Sequence, residues 1–406
     1  MSYQVRAGTP LRGIAVSVLV ALIIILLVTI ALELLLRGTN LGNAGCSYAQ
    51  RHPVLGFEHI PGKMVVCSHE GYSVYRVNAQ GQVDDDFPMM QESVGFRVAV
   101  LGDSFAEGFG VMPSVRFSSL LRRDLGIEVL NFGVSAYSTG IQLLQWRHKV
   151  SDYEPDIVIL GLYEGNDFRE NYHEVLGSTH PGIEPYFLLE NGKPRLTNSE
   201  QVRAQYQKVI STPSGRVKRW ARANLYLWTL SSKAVQPFRS IVSALSLDDV
   251  QVSGYDVGDE SAVQEKRGCS EDGGDYLQMW ADGPGSACHP RFSEAVELTE
   301  ALLLTLRNEI EEQGGHFVWF SIPRCDSMMT YLNSNDLVHH PSLTEELRNF
   351  AVQNNMLHFA LLESFVEHHD PRQLYIQCPG HFSERGHQVV SGILQDFLVQ
   401  EGLVPD

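Results

Sequence analysis

Positive charge is scarce in this chain: 31 Lys and Arg stand against 48 Asp and Glu over 406 residues, a formal net charge of -17. Nucleic-acid binding relies on cations that neutralise phosphates, so the balance argues against nucleic acid as a partner and leaves the acidic surface as a solubility feature. Cys-x-x-Cys pairs and His/Cys clusters at ligand spacing are also missing, so the sequence offers no zinc site and implies no cofactor. His368, His369 and Asp370 cluster without further partners at ligand spacing and read as a solvated loop. There is no internal repeat and no low-complexity tract, which removes repeat and fibrous architectures. With 44% hydrophobic and 19% charged residues, the composition is that of a globular protein.

Charge is nearly absent from Gly13 to Leu36, 24 residues with Glu33 as the one ionisable side chain. About 20 apolar residues span a bilayer as a helix. Arg6 and Arg12 precede the run and Arg37 follows it, so the positive-inside rule predicts a cytoplasmic N-terminus with the remainder outside, in a periplasmic or other extracytoplasmic space. The apolar core of a cleaved signal peptide runs about 7 to 15 residues, so the expectation is an uncleaved single-pass signal anchor. Asn43-Ala44-Gly45-Cys46 departs from a lipoprotein box, with Asn where Leu is usual. Cysteines at 46, 67, 269, 288, 325 and 378 make an even count that suits an oxidising compartment. The order alone leaves about 15 pairings open, and loop closure favours neighbours: Cys46–Cys67, Cys269–Cys288 and Cys325–Cys378.

Behind the predicted anchor (1–37), residues 38–94 read as an extracytoplasmic leader with short strand-like pieces and an acidic run, Asp84-Asp85-Asp86, taken as a solvated loop. From Arg97 the pattern is regular: strand 97–101, helix about 114–125, strand 127–132, helix about 140–151, strand 156–163. After an interruption it resumes with helix 292–313, strand 316–322, helix 342–353, strand 357–362 and helix 383–399, capped by Ser383. Alternating strands and helices of this length predict an α/β domain with a parallel sheet over 95–171 and 292–406, and an insertion or lid over 172–291. Within the insertion, 201–244 reads as amphipathic helix, with Arg216, Lys218, Arg219 and Arg222 beside Trp220 and Trp228. That stretch suits a helix packed on the domain, a membrane surface or a glycan contact.

Three strand ends carry residues with chemistry. Gly102-Asp103-Ser104 ends the first strand, Asn131-Phe132-Gly133 the second and Gly165-Asn166-Asp167 the third, so all three gather at the carboxyl edge of a parallel sheet, where ligands of open α/β folds bind. A serine hydroxyl becomes a nucleophile when a base takes its proton and donors hold the oxyanion. His381, in Gly380-His381-Phe382-Ser383-Glu384-Arg385-Gly386-His387, is the candidate base.

These four blocks, in this order, resemble the SGNH/GDSL hydrolase superfamily. The resemblance covers roughly residues 95–171 and 292–400. It implies a flavodoxin-like three-layer α/β/α fold, Ser104 as nucleophile, His381 as base, and the Ser104 N–H, Gly133 N–H and Asn166 side chain as oxyanion hole. Asp103 and Asp167 are implied to bond loop backbone, while Glu164 and Arg169 flank the Asn block, and His387 reads as structural. The family's orienting Asp, two or three residues before the His, is replaced here by Pro379 and Cys378. A Ser-His dyad, a substitute acid such as Asp326, or a degenerate site are the three accounts. The reading is an anchored serine esterase acting on acyl, most simply acetyl, esters of an extracytoplasmic substrate such as a polysaccharide. A polysaccharide O-acetyltransferase and a catalytically degenerate glycan-binding scaffold are the alternatives.

Overall fold

The computed structural model describes residues 10–39, 48–89, 95–172, 184–228, 290–334 and 341–405. They fall into two compact units. The larger is an α/β domain built on five strands: β5 (Arg97–Gly102), β6 (Glu128–Asn131), β7 (Ile157–Tyr163), β10 (His316–Ile322) and β11 (Leu357–Ala360). They pair in the order β11-β10-β7-β5-β6, every pair parallel. Numbered among themselves, these strands run 2-1-3-4-5, the flavodoxin-like order, with its switch point between β5 and β7.

Alternation along each strand sends side chains to two separate cores. Ala99 and Leu101, Val158, Leu160 and Leu162, and Phe317 and Trp319 enter one core with the helices at Thr139–His148, Pro290–Glu312 and Pro341–Gln353. Val98 and Val100, Ile157 and Ile159, and Val318, Phe320 and Ile322 enter the other, against Phe117–Leu125, Leu361–Val366 and Glu384–Gln400. The expected β/α rhythm is observed, and the chain forms the α/β/α sandwich.

The leader folds onto this domain as two antiparallel ribbons, β1 (Ala49–His52) with β2 (Gly56–His59), and β3 (Met64–Cys67) with β4 (Ser73–Arg76). Leu55, Phe57 and Phe87 join the first core, while Tyr48, Val65, Tyr75, Val77 and Val83 make a small cluster of their own. The acidic run is not simply solvated. Asp84 accepts the Asn131 N–H of β6 at 2.9 Å and pairs with Arg122, because it caps an edge-strand donor that the ladder leaves over. The described part of the insertion holds a hairpin, β8 (Phe187–Glu190) with β9 (Lys193–Leu196), and helices Ser199–Ser211 and Pro213–Asn224, separated where Pro213 cannot continue the first.

The smaller unit contains helix α1 (Pro10–Thr39) and residues 217–228. Gly13–Thr39 is long and apolar enough to cross a membrane, and its side chains are exposed from Gly13 to Leu32, while Leu36 is buried.

Candidate active site

Ser104 starts a one-turn helix, α2 (Ser104–Glu107), directly after β5 at the switch point. Asp103 caps it, its carboxylate accepting the Phe105 N–H at 2.9 Å. At the first helical position the Ser104 N–H has no acceptor inside the helix.

His381 comes to Ser104 from a loop 277 residues away, with Nε2 2.7 Å from the Oγ. That loop is closed on itself by the Ile376 N–H donating to the His381 carbonyl at 2.8 Å and by a bridge between Tyr375 and Phe382. The Tyr375 hydroxyl donates to the Pro323 carbonyl at 2.7 Å, and the expected Cys325–Cys378 disulfide is present, its Cα atoms 5.4 Å apart. Phe105 and Phe109 flank the imidazole, each ring centroid 4.9 Å away.

The other ring nitrogen is taken by a residue that the sequence did not point to. Glu70 Oε2 lies 2.7 Å from His381 Nδ1 and also accepts the His381 backbone N–H at 3.0 Å. Burial acts to raise the Glu70 carboxyl, but the hydrogen bonds from His381 outweigh it and hold the group below its ordinary value. A carboxylate there favours the tautomer with hydrogen on Nδ1, which leaves Nε2 to accept from the serine. Asp326 is therefore corrected as orienting acid: its carboxylate is forked by Arg324, with Nε 2.9 Å away, while His381 Nδ1 is already engaged.

Glu70 stands in the turn between β3 and β4, and its neighbour Gly71 sets how closely that turn can approach. A Cβ at Gly71 would meet the Gly110 carbonyl oxygen at 2.2 Å, so any side chain there forces backbone apart. The Val74 N–H closes the seam by pointing at the Met112 sulfur, 3.3 Å away.

A second leader contact lies behind the nucleophile. Glu107, at the end of α2, is fully buried and accepts the Tyr48 hydroxyl, the Ser135 N–H at 2.6 Å and the Ser135 hydroxyl at 2.7 Å. His59 Nε2 is 3.4 Å from the same carboxylate. Burial would raise Glu107, but the charge and hydrogen bond of His59 and the hydroxyl donors bring it down to about 2.

The predicted oxyanion donors differ in their availability. The Gly133 N–H is engaged, donating to Asn131 Oδ1 at 2.8 Å, and this expectation is corrected. What Gly133 supplies is room, because a Cβ there would meet the Glu107 nitrogen at 2.3 Å. Asn131 completes a bracket by donating to the Ala106 carbonyl at 2.8 Å and the Ser118 hydroxyl at 2.9 Å. Asn166 Nδ2 lies 3.3 Å from Glu170 Oε1, a long contact that occupies one of its two amide hydrogens.

Around these groups, Asp103 and Asp167 are buried. Burial raises Asp103 to about 6 against the Phe105 N–H, and burial plus the Asp103 charge raises Asp167 as well. Asp167 accepts the Tyr163 N–H at 2.7 Å, so both aspartates bond backbone, Asp103 in the first turn of α2 and Asp167 at the end of β7 in place of a loop. Glu164 accepts the Thr344 hydroxyl at 3.0 Å, with burial pushing it up to about 7. Arg169 stands 3.9 Å from Glu170. His387 Nδ1 accepts the Phe117 N–H at 3.2 Å inside the core. The Asp370 N–H donates to His368 Nδ1 at 3.2 Å within their own loop. Cys46, Cys269 and Cys288 lie outside the described residues, as do the two pairings that involve them.

No protein-family model and no curated protein matches the chain. Among solved structures it is similar to a lipase/acylhydrolase from Enterococcus faecalis, at 11% identity over 76% of this chain and 97% of that one, TM-score 0.38. It is similar also to the acetyl xylan esterase AlAXEase, at 10% identity over 74% and 98%, TM-score 0.36. A third is a G-D-S-L family lipolytic protein from Desulfitobacterium hafniense, at 10% identity over 74% and 99%, TM-score 0.33. At this level of likeness no activity passes from those proteins to this one.

Proposed function

We propose that the chain is a membrane-anchored serine esterase of SGNH type. The observation that carries the proposal is the continuous Ser104–His381–Glu70 hydrogen-bonded series at the switch point of the sheet. His381 Nε2 takes the Ser104 proton as Oγ attacks the acyl carbon, and Glu70 stabilises the imidazolium that forms. His381 then returns the proton to the leaving alkoxide, which departs from an acyl-Ser104 intermediate. Water, deprotonated by the same imidazole, releases the acid. The developing oxyanion is held by the Ser104 N–H and the Asn166 side-chain amide.

A degenerate scaffold is disfavoured, since the case for it rested on a missing acid and Glu70 fills that position. With Gly13–Thr39, long and apolar enough to span a bilayer, as anchor and the catalytic unit on the outer side by the charge rule, the reading takes an extracytoplasmic acyl ester as substrate, most simply an acetylated polysaccharide. Transfer to a sugar hydroxyl in place of water uses the same acyl-enzyme. The test is fluorophosphonate labelling of the full chain in detergent. Labelling is expected in the wild type, absent in Ser104→Ala and strongly reduced in His381→Ala and Glu70→Gln. A correctly folded wild type that stays unlabelled would overturn the esterase reading. Release of acetate from acetylated glycans, with and without an unacetylated acceptor glycan, separates hydrolysis from transfer.

A further inference from the structure

Counted from Gly13, 20 residues of helix rise about 30 Å and reach Leu32, the thickness of a hydrocarbon core. Glu33 and Arg37 therefore stand at headgroup depth, and both are spent on the segment that follows helix α7 (Pro213–Asn224). The Glu33 carboxylate accepts the Tyr226 and Leu227 N–H groups, each at 3.0 Å. Arg37 donates to the Asn224 carbonyl and lies 5.3 Å over the Tyr226 ring. The C-terminal end of α7 is thus fixed to the last turn of the anchor.

The composition of α7 matches that depth. It carries four cations, Arg216, Lys218, Arg219 and Arg222, and no carboxylate, in a chain whose acidic residues outnumber its basic ones 48 to 31. Val217 and Trp220, one turn apart, are 62% and 58% exposed, with Arg216 and Lys218 exposed beside them. An exposed indole and valine flanked by long cationic side chains fit a water–lipid boundary, where the ring sits among headgroups and the cations meet phosphate.

We infer that Arg216–Asn224 is a membrane-interface helix that lies in the headgroup layer of a bilayer carrying anionic phospholipid. The inference rests on the anchor proposed above. It is a second, reversible contact with the same membrane, and it differs from the anchor in depending on headgroup charge.

The full chain is placed in nanodiscs of phosphatidylcholine alone or mixed with phosphatidylglycerol, with part of the lipid brominated high on its acyl chains. The chain holds five tryptophans, so the difference in emission between wild type and Trp220→Phe isolates Trp220. That component is expected to be quenched in the mixed discs and to lose its quenching in the double variant Arg216→Glu, Lys218→Glu. A chain that resists alkaline carbonate extraction from vesicles while its Trp220 emission stays unquenched overturns the surface and leaves the anchor standing. A chain stripped by carbonate overturns both. Equal quenching with and without phosphatidylglycerol overturns the role of headgroup charge.

Discussion

The sheet and the leader both position His381 and Ser104, but they hold them by different means. The sheet works through burial: the strands that lead to Ser104 and Asn166 are packed on both faces, and the Cys325–Cys378 disulfide and the Tyr375 hydroxyl on the Pro323 carbonyl tie the His381 loop to the segment that follows β10. The leader works through polar contacts made by ribbons of four residues per strand, with a small apolar cluster behind them and Leu55, Phe57 and Phe87 reaching into the first core. Segments held by few buried apolar groups open at lower free energy than the core they rest on. The difference implies that catalysis in this molecule can fail while the fold remains, and the leader is where that failure begins.

The sharpest way to test this is at Glu70. Glu70→Gln keeps the size of the side chain and removes the charge that orients His381. We expect kcat on a soluble ester to fall by about 10³- to 10⁴-fold, the scale on which an orienting acid counts in a serine triad. Thermal stability should change little, because Glu70 contributes a contact at the rim of the sheet and no core packing. Asp326→Asn should leave kcat near that of the wild type. A large loss in Asp326→Asn with none in Glu70→Gln would reverse the assignment of the acid.

Glu107 tests the opposite case, a leader contact on which the fold itself depends. Glu107→Ala strands the buried Tyr48 hydroxyl, His59 and Ser135, which lose their common acceptor. Removing one partner from a buried charged network costs about 3 to 5 kcal/mol. Chemical denaturation should read a loss of that size, and a loss under about 1 kcal/mol would mean that the network contributes little beyond water.

Between these two lies Gly71→Ala. The added Cβ has no room against the Gly110 carbonyl, so the turn carrying Glu70 must retreat. Displacements of about 1 Å at a catalytic group cost on the order of 10²-fold in rate. The expected signature is that loss in kcat, with a melting temperature that stays close to the wild type. Unfolding in step with activity would show that the leader and the sheet are one cooperative unit.

The same contrast explains what could be read in the chain. Strands 97–102, 157–163 and 316–322 were legible because each, buried on both faces, reads as a short continuous apolar run bounded by turn residues. Ser104, Asn166 and His381 were legible as candidates because the first two follow strand ends closely and the third precedes the Ser383-capped last helix. Glu70 lies 311 residues from the histidine it orients, on a ribbon too short for periodicity, and no local pattern marks a side chain whose role is fixed by a distant partner. Gly133 failed for a related reason: its N–H was expected to be open, and only the fold shows Asn131, two residues back, turning to take it. Asp84 had the look of a surface charge until the edge strand it caps was in place.

The last expected effect lies on the sheet side and separates the two regions by pH. His387 is buried between Phe117 and Phe382, and desolvation, with the Arg116 charge adding to it, lowers its pKa to about 3. In the unfolded chain the same group protonates near 6.5. Between those values the unfolded state binds the extra proton, so stability is full above about pH 6.5 and falls as pH drops toward 3. The slope contributed is roughly 1 kcal/mol per pH unit. His358, lowered to about 3 mainly by burial, adds a slope of the same sign. Glu107, brought down to about 2, stays ionised across that window, and Glu70 is likewise held below its ordinary value by the hydrogen bonds from His381. His387→Asn offers a non-titrating acceptor for the Phe117 N–H and should flatten the acid limb of the stability profile by its share, measured by denaturant titration between pH 4 and 7. An unchanged slope would mean that His387 is protonated in the folded core and that the acid sensitivity resides elsewhere.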